Sequence, residues 1–222
     1  MKTNLSHPSS PRAIHPRIGT RGSLCIWNHF LILLLGLGLC LSSTVHAAVI
    51  PGLFNTGVDN ANMPLANTSP DPHYTLLSGS PIIATPIVAT SSIGFPIPPW
   101  LADNASSAWI APTANTYGPG ATDGSAINRY QIQFDLTGLD PATAVISGQW
   151  STDNYGVDIL LNGLSAGQTN TSQYGAWTPF YIAKGFVAAT NTLTFLVENG
   201  YQELVPDGPT GLRVEKIGRA HV

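Results

Sequence analysis

Residues 127 to 137 read INRYQIQFDLT, and their alternation is strict. Tyr130, Ile132, Phe134 and Leu136 fall on one side, and Arg129, Gln131, Gln133 and Asp135 on the other. A period of two buries one face of a pleated strand and wets the other, whereas a helix would scatter the same residues around its circumference. Similar runs follow at short intervals. Gly138-Leu139-Asp140-Pro141 turns the chain into 143–150 (TAVISGQW), and Asp153-Asn154-Tyr155-Gly156 makes a tight connection into 157–161 (VDILL). Asn162-Gly163 then supplies the dipeptide that closes two-residue hairpins. Further strands are predicted at 177–182 (WTPFYI), 192–198 (TLTFLVE) and 211–215 (GLRVE), and upstream at 51–58, 73–78, 82–90 and 107–111. Pro81, Pro86, Pro96, Pro98 and Pro99 push the upstream region towards edge strands or extended loops.

Composition narrows the fold class in the same direction. With 22 Gly and 18 Pro in 222 residues, and only 9% charged residues, the chain lacks the Lys and Glu that solvate long helices. Its 43% hydrophobic content is too high for a disordered chain. No helical stripe longer than two turns follows residue 50, and no tandem repeat is present. Nine or ten short strands in one stretch predict an all-β fold, a two-sheet β-sandwich over 48–215. Ile132, Phe134, Ile146, Trp150, Ile159, Leu161, Leu193, Phe195 and Val197 are its expected centre.

The N-terminal 47 residues read as a signal peptide. Lys2, Arg12, Arg17 and Arg21 make a basic n-region, and Phe30 to Leu41 (FLILLLGLGLCL) is an apolar run of h-region length, short for a membrane span. Val45-His46-Ala47 offers a small-x-small cleavage site. The alternative is a retained anchor, which lacks a basic stop-transfer cluster after the run. A lipoprotein through Cys40 meets Leu39 where a small residue is needed. The expectation is a protein secreted or held at the cell surface, which meets the export machinery on its way. Removing 1–47 removes both cysteines, Cys25 and Cys40, so the exported chain relies on its core rather than on disulfides. All 12 acidic residues but only 5 of the 9 basic ones follow residue 47, so the net charge there is −7. Such a surface repels nucleic acid and anionic membranes and suits neutral ligands, cations or solubility alone. The last seven residues, 216–222 (KIGRAHV), read as the translation of a sequencing adapter. The expectation is a non-native tail, on a native chain that continued past Glu215.

The stretch FDLTGLDPATAVISGQWSTDNYGVDILLNG (134–163) resembles the central part of galactose-binding-like jelly-roll domains. GFVAATNTLTFLVEN (185–199) and PTGLRVE (209–215) are similar to the closing strands of the same domains. The ensemble also resembles exported bacterial proteins that end in a PEP-CTERM sorting signal. That resemblance implies a jelly-roll sandwich working outside the cell. It also implies an exosortase as a processing partner, if a C-terminal signal existed. The Pro-Glu-Pro motif, membrane span and basic tail of that signal are not in the sequence given.

Catalytic patterns are thin. After residue 47 the histidines are His73 and His221, and no Gly-x-Ser-x-Gly elbow accompanies them. After residue 47 zinc has no Cys, one dependable His, His73, and no His-Glu-x-x-His to bind it. Asp153, Asp158, Glu198 and Glu203 give no facing carboxylate pair of the kind glycoside hydrolysis needs. The expectation is therefore a protein that is not an enzyme and carries no cofactor. A structural Ca²⁺ is the one addition the jelly-roll resemblance implies. Asp123-Gly124-Ser125 and Asp153-Asn154 offer oxygens for it, without an Asp-x-Asp-x-Asp-Gly loop.

Aromatic residues in loops point to a different chemistry. A neutral sugar stacks its C–H face on Trp or Tyr and hydrogen-bonds to Asp, Asn and Gln. Strand counting predicts that the loops near 162–176 and 199–210 share one end of the sandwich. That would bring together Asn170, Gln173, Tyr174, Trp177 and Tyr201. The other end would hold Tyr117, Asp123, Asp153, Asn154 and Tyr155. Trp100, Trp109 and Trp150 are assigned to packing. The expected partner is carbohydrate or another extracellular polymer. The alternatives are a self-associating structural surface protein and an accessory domain of a carbohydrate-active enzyme.

Overall fold

The structure, a computed structural model, describes residues 47–48, 50–77, 85–89, 96, 98–116, 127–200 and 208–221. The apolar run 30–41 lies outside the described residues. So do Tyr117, Asp123, Tyr201 and Glu203.

Twelve strands stand in chain order among the described residues. They are β1 (Ala47–Ala48), β2 (Tyr74–Leu77), β3 (Ile87–Val88), β4 (Ile110–Ala111), β5 (Ile127–Asp135), β6 (Ala144–Asp153), β7 (Tyr155–Leu161), β8 (Leu164–Ser165), β9 (Thr178–Ile182), β10 (Thr190–Glu198), β11 (Gly211–Glu215) and β12 (Arg219–His221). One 3₁₀ turn, Gln173–Gly175, precedes β9. The strands make two antiparallel sheets. Five run in the order β2-β5-β10-β7-β8. The other seven run β1-β12-β6-β11-β4-β3, with β9 on the free side of β6. β6 is the hub of the larger sheet. Its Ile146 to Trp150 pair with β9, its Gln149 to Asp153 pair with β11, and its Ala144 and Val145 pair with β12.

The two sheets face each other across one core, so the chain is an all-β two-sheet sandwich. All nine residues expected at its centre are buried there. The alternation of β5 is also as the sequence dictates: Asn128, Tyr130, Ile132 and Phe134 point inward. Phe195 of β10 is the meeting point of the two layers. Its ring lies 5.7 Å from Trp150 and 5.8 Å from Phe180, both on the opposite sheet. Asn162 and Gly163, with φ of 52° and 79°, close the β7–β8 hairpin between the paired Leu161 and Leu164.

Two upstream expectations change. The segment 51–58 is not a strand, although Ile50, Leu53 and Val58 are buried. Gly52 and Gly57 take φ of 89° and 70°, which breaks the extended run and leaves the segment as a plug across the sheets. The strand expected at 107–111 shrinks to Ile110–Ala111. Asn104 Oδ1 accepts the backbone N–H groups of Ser106 and Ser107, and Asp103 Oδ1 accepts that of Trp109. Side-chain acceptors thus take the donors that a longer ladder would use.

Gly156 opens the space that Trp150 fills. A Cβ there would meet Cη2 of Trp150, and would stand 2.7 Å from Trp150 Cζ3 and from Asn170 Cβ. Gly156→Ala should therefore lower stability by about 1–3 kcal/mol through overpacking, read as a lower urea midpoint at unchanged slope.

Candidate functional site

The outer face of the seven-stranded sheet carries a second, smaller layer. Leu212 and Val214 of β11 point into the core, so Arg213 between them points out. The segment 98–109 lies over it. Arg213 Nε donates to Ser107 Oγ at 2.9 Å, and Nη1 donates to the carbonyls of Leu101 and Ala102. Its guanidinium carbon stands 4.9 Å from the centroid of the Trp177 ring. Burial pushes the Arg213 pKa down, against the opposing charges of Asp103 and Glu215. Burial likewise raises Asp103, offset by the Trp109 N–H and by Arg213. Ala89, Trp100, Trp109 and Ala111 form a small apolar cluster beside this cation, and Tyr174 packs on it. Trp100 lies 4.4 Å from Trp109 and 6.3 Å from Tyr174, the latter pair stacked. Trp109 Nε1 donates to Leu101 O at 2.8 Å, which fixes the overlying segment.

The sequence separated the expected site residues into two ends, and the topology corrects that. β10 ends at Glu198 beside Tyr155, while Asn162 receives its backbone contacts from Thr192 at the start of β10. The 162–163 turn and the segment after Glu198 are therefore at opposite ends. After β8 the chain doubles back, and Asn170 bridges to Gly156. This return carries Gln173, Tyr174 and Trp177 to the end where Asp153, Asn154 and Tyr155 stand. The described members of the two expected groups, Asn170, Gln173, Tyr174 and Trp177 with Asp153, Asn154 and Tyr155, are one neighbourhood.

Within it the polar residues are committed to the fold. Asn170 is fully buried. Its Nδ2 donates to Trp150 O, and its Oδ1 accepts Ser172 N–H, Gln173 N–H and Thr178 Oγ1–H. Gln173 sits at φ 52°, and its carbonyl accepts Ser151 Oγ–H at 2.7 Å. Asn154 Oδ1 accepts Gly200 N–H, and Tyr155 is half-buried opposite Glu198. Asp158 is structural too: its Oδ1 accepts the N–H groups of Ile159 and Gln168. Among the described residues no group of three or more His, Cys, Asp and Glu is arranged to hold a metal ion. Asp153 is 3% exposed, and its Oδ1 has no hydrogen-bond partner among the described residues. Burial pushes its carboxyl up to about 7, against a hydrogen bond from Trp100.

The outer side carries rings, Trp177 half-buried and Tyr181 exposed. Trp177 and β9 alternate, with Phe180 and Ile182 buried and Pro179 and Tyr181 exposed. Trp177, Pro179 and Tyr181 thus share the outer face of an edge strand. Four residues of extended chain set the two rings about 13 Å apart. Tyr174, in the turn before β9, is half-buried and stacks on Trp100. Tyr181, 61% exposed, also lines a cavity of about 550 Å³ with Leu161, Leu164, Ala166, Ile182 and Lys184. The sequence run WTPFYI held the signal for Tyr181 in its alternation, and only Trp177 was singled out from it. The cover over Arg213 had no such signal, because 98–109 is an irregular segment.

The chain matches none of the family models, curated proteins or solved structures with which it was compared.

The Asp153 carboxyl makes stability depend on pH with a definite sign. In the folded chain it keeps a proton up to about pH 7, whereas in the unfolded chain it releases it near pH 4. Its favourable contribution is full below that lower value and is lost as pH rises through about 7. Asp153→Asn, uncharged throughout, should flatten the urea-stability profile over this window by about 1 kcal/mol per pH unit. A residual slope of the same sign should remain from Asp71 and Asp103, which burial also raises.

Proposed function

We propose that this protein is an exported, non-catalytic β-sandwich that binds carbohydrate, or a similar neutral polymer, at the cell surface or in extracellular matrix. The observation that carries the reading is the pair of rings Trp177 and Tyr181 on the outer side of β9, with Tyr174 stacked on Trp100 in the turn before it. Rings set along an extended strand suit an extended polymer, which can lay successive C–H faces on successive platforms. The cation–π contact with Arg213 holds Trp177 in place before any ligand arrives, which lowers the ordering cost of binding. The net charge of −7 after residue 47 fits a neutral ligand better than an anionic one.

The basic n-region and the Phe30 to Leu41 run support export. The resemblance of 134–163, 185–199 and 209–215 to galactose-binding-like jelly rolls supports the sugar class. A single shallow row buries little area, so affinity for one polymer segment belongs in roughly the millimolar-to-micromolar range. A second reading is a structural protein that self-associates. It is favoured by the exposed Leu164, Tyr181 and Val187.

Two ring deletions test the row. Trp177→Ala and Tyr181→Ala should each weaken retention in affinity gels loaded with neutral polysaccharides by about tenfold, the loss of one stacking platform. Equal retention in both variants and the parent would remove the β9 rings as the binding surface, and no retention of the parent would remove the reading. Sedimentation that rises with protein concentration, and falls in Leu164→Ser, would favour self-association instead.

A further inference from the structure

The outer face of the five-stranded sheet holds a second cavity, of about 340 Å³, between β2, β5 and the 52–54 segment. It is lined by Phe54, Pro72, His73, Thr75, Gln131 and Gln133, with Gly52 at its edge. This is the side of the sandwich away from the β9 row, because the five-stranded sheet forms the other layer.

The walls are fixed from several directions. The Phe54 ring and the His73 imidazole stack at 3.6 Å with planes 3° apart. Tyr74 Oη donates to Phe54 O, and His73 N–H donates to Asp71 Oδ1 at 2.8 Å. Asp71 itself is buried, and its other oxygen accepts Gly57 N–H at 2.7 Å. Gly52 lets its segment lie flat on β5, since a Cβ there would come within 2.9 Å of the Gln133 carbonyl. Gln131 is turned by the hydrogen bond from its Nε2 to Thr194 Oγ1.

Polar capacity in this rigid cup exceeds what the fold uses. His73 Nε2 is shut off from bulk water and has no hydrogen-bond partner among the described residues. A buried polar atom left unsatisfied costs free energy, and a small shift of the ring that let a ligand in the cavity complete it would recover that cost. The Gln133 side chain is exposed and makes no hydrogen bond among the described residues. Two amides, a hydroxyl and an imidazole can each give or take a hydrogen bond, and Phe54 and Pro72 supply an apolar wall. Among the described residues the lining holds no carboxylate, Lys or Arg. That set matches an uncharged ring bearing hydroxyls.

We propose that this cavity is a second carbohydrate site, taking one neutral monosaccharide unit, so that a single domain grips polymer on two opposite faces. The proposal rests on the sugar-binding reading for its ligand class, but on none of the residues of the β9 row. Its consequence is bridging: two weak sites facing away from each other join separate chains instead of strengthening the hold on one.

The test uses the full chain titrated with glucose, galactose and N-acetylglucosamine, followed by ¹H–¹³C NMR of the histidine rings. The His73 signals are identified by their loss in His73→Phe, which keeps an aromatic ring against Phe54. One of the sugars should shift those signals. Gln133→Ala, at an exposed position, should weaken that response by about tenfold with an unchanged melting curve. Trp177→Ala and Tyr181→Ala should leave it intact. Polysaccharide mixed with the parent chain should turn turbid, and with Gln133→Ala should bind without turbidity. His73 signals unmoved by all three sugars, or a response equal in parent and Gln133→Ala, overturn the proposal. Retention on polysaccharide that survives the loss of both row rings while His73 still responds would sink the β9 row and leave this site standing.

Discussion

The indole of Trp150 sits between the two sheets, and the position of the outer rings follows from it. Its ring packs on Phe195 of the opposite sheet, and its Nε1 has no hydrogen-bond partner among the described residues. Shape alone therefore sets where it lies. A side chain of that size must be given room, and Gly156 at the start of β7 gives it. The same place is closed from the side by Asn170, whose Nδ2 donates to the Trp150 carbonyl. Asn170 Oδ1 then gathers Ser172, Gln173 and Thr178. One buried amide thus ties the core to the turn that presents Tyr174 and Trp177. A core residue and a surface row are coupled through a single hydrogen-bonded hub, and hubs of this kind tolerate substitution poorly because each lost bond leaves a buried group unsatisfied.

The layer outside the seven-stranded sheet solves a different problem. Arg213 occupies a strand position whose neighbours make it face away from the core, yet it is almost fully buried. Desolvating a guanidinium is costly unless its donors are met, and Arg presents five in a fixed fork. Two carbonyls and a hydroxyl from 101–107 meet part of that demand, and the Trp177 ring covers the cation. The irregular segment is thereby held down by the charge it covers. Trp100 and Trp109 add apolar area, and Trp100 reaches Asp153 at the end of β6. A layer held by so few groups is expected to open at lower free energy than the sandwich beneath it.

Pattern reading reached the sandwich because its signals are local. Alternation placed β5, β6, β7, β9, β10 and β11 within a few residues, and the Asn162-Gly163 hairpin is where the dipeptide says. The same alternation identified the nine central side chains, since a strand with one buried face leaves no other choice. The misses have a common cause. Residues 51–58 carry apolar side chains without a period of two, and only tertiary contacts reveal them as a plug. The merging of the two residue groups depends on how the chain returns after β8, and no local signal encodes that path. Asn170 looked like a ligand-facing loop amide. In space it is fully buried, which a sequence of polar turn residues does not announce. The Phe54–His73 pair, 19 residues apart, was invisible for the same reason.

Among the described residues β9 pairs with β6 alone, and its outer edge, where Gln168 Oε1 accepts the Tyr181 N–H, links folding to display. An unpaired strand edge invites pairing with another chain, and proteins blunt such edges with proline. Pro179 stands in the middle of β9, between Trp177 and Tyr181. It removes one backbone donor from the strand just where the rings are most exposed. The same proline has no side chain long enough to screen the platforms beside it. An edge that ended in lysine would also resist pairing, but its long cationic side chain would fold over the rings and compete for their faces. Proline is thus the edge guard compatible with an open aromatic row. Arg213 is held beneath Trp177 by the carbonyls of Leu101 and Ala102, where it props the ring instead of occupying its outer side.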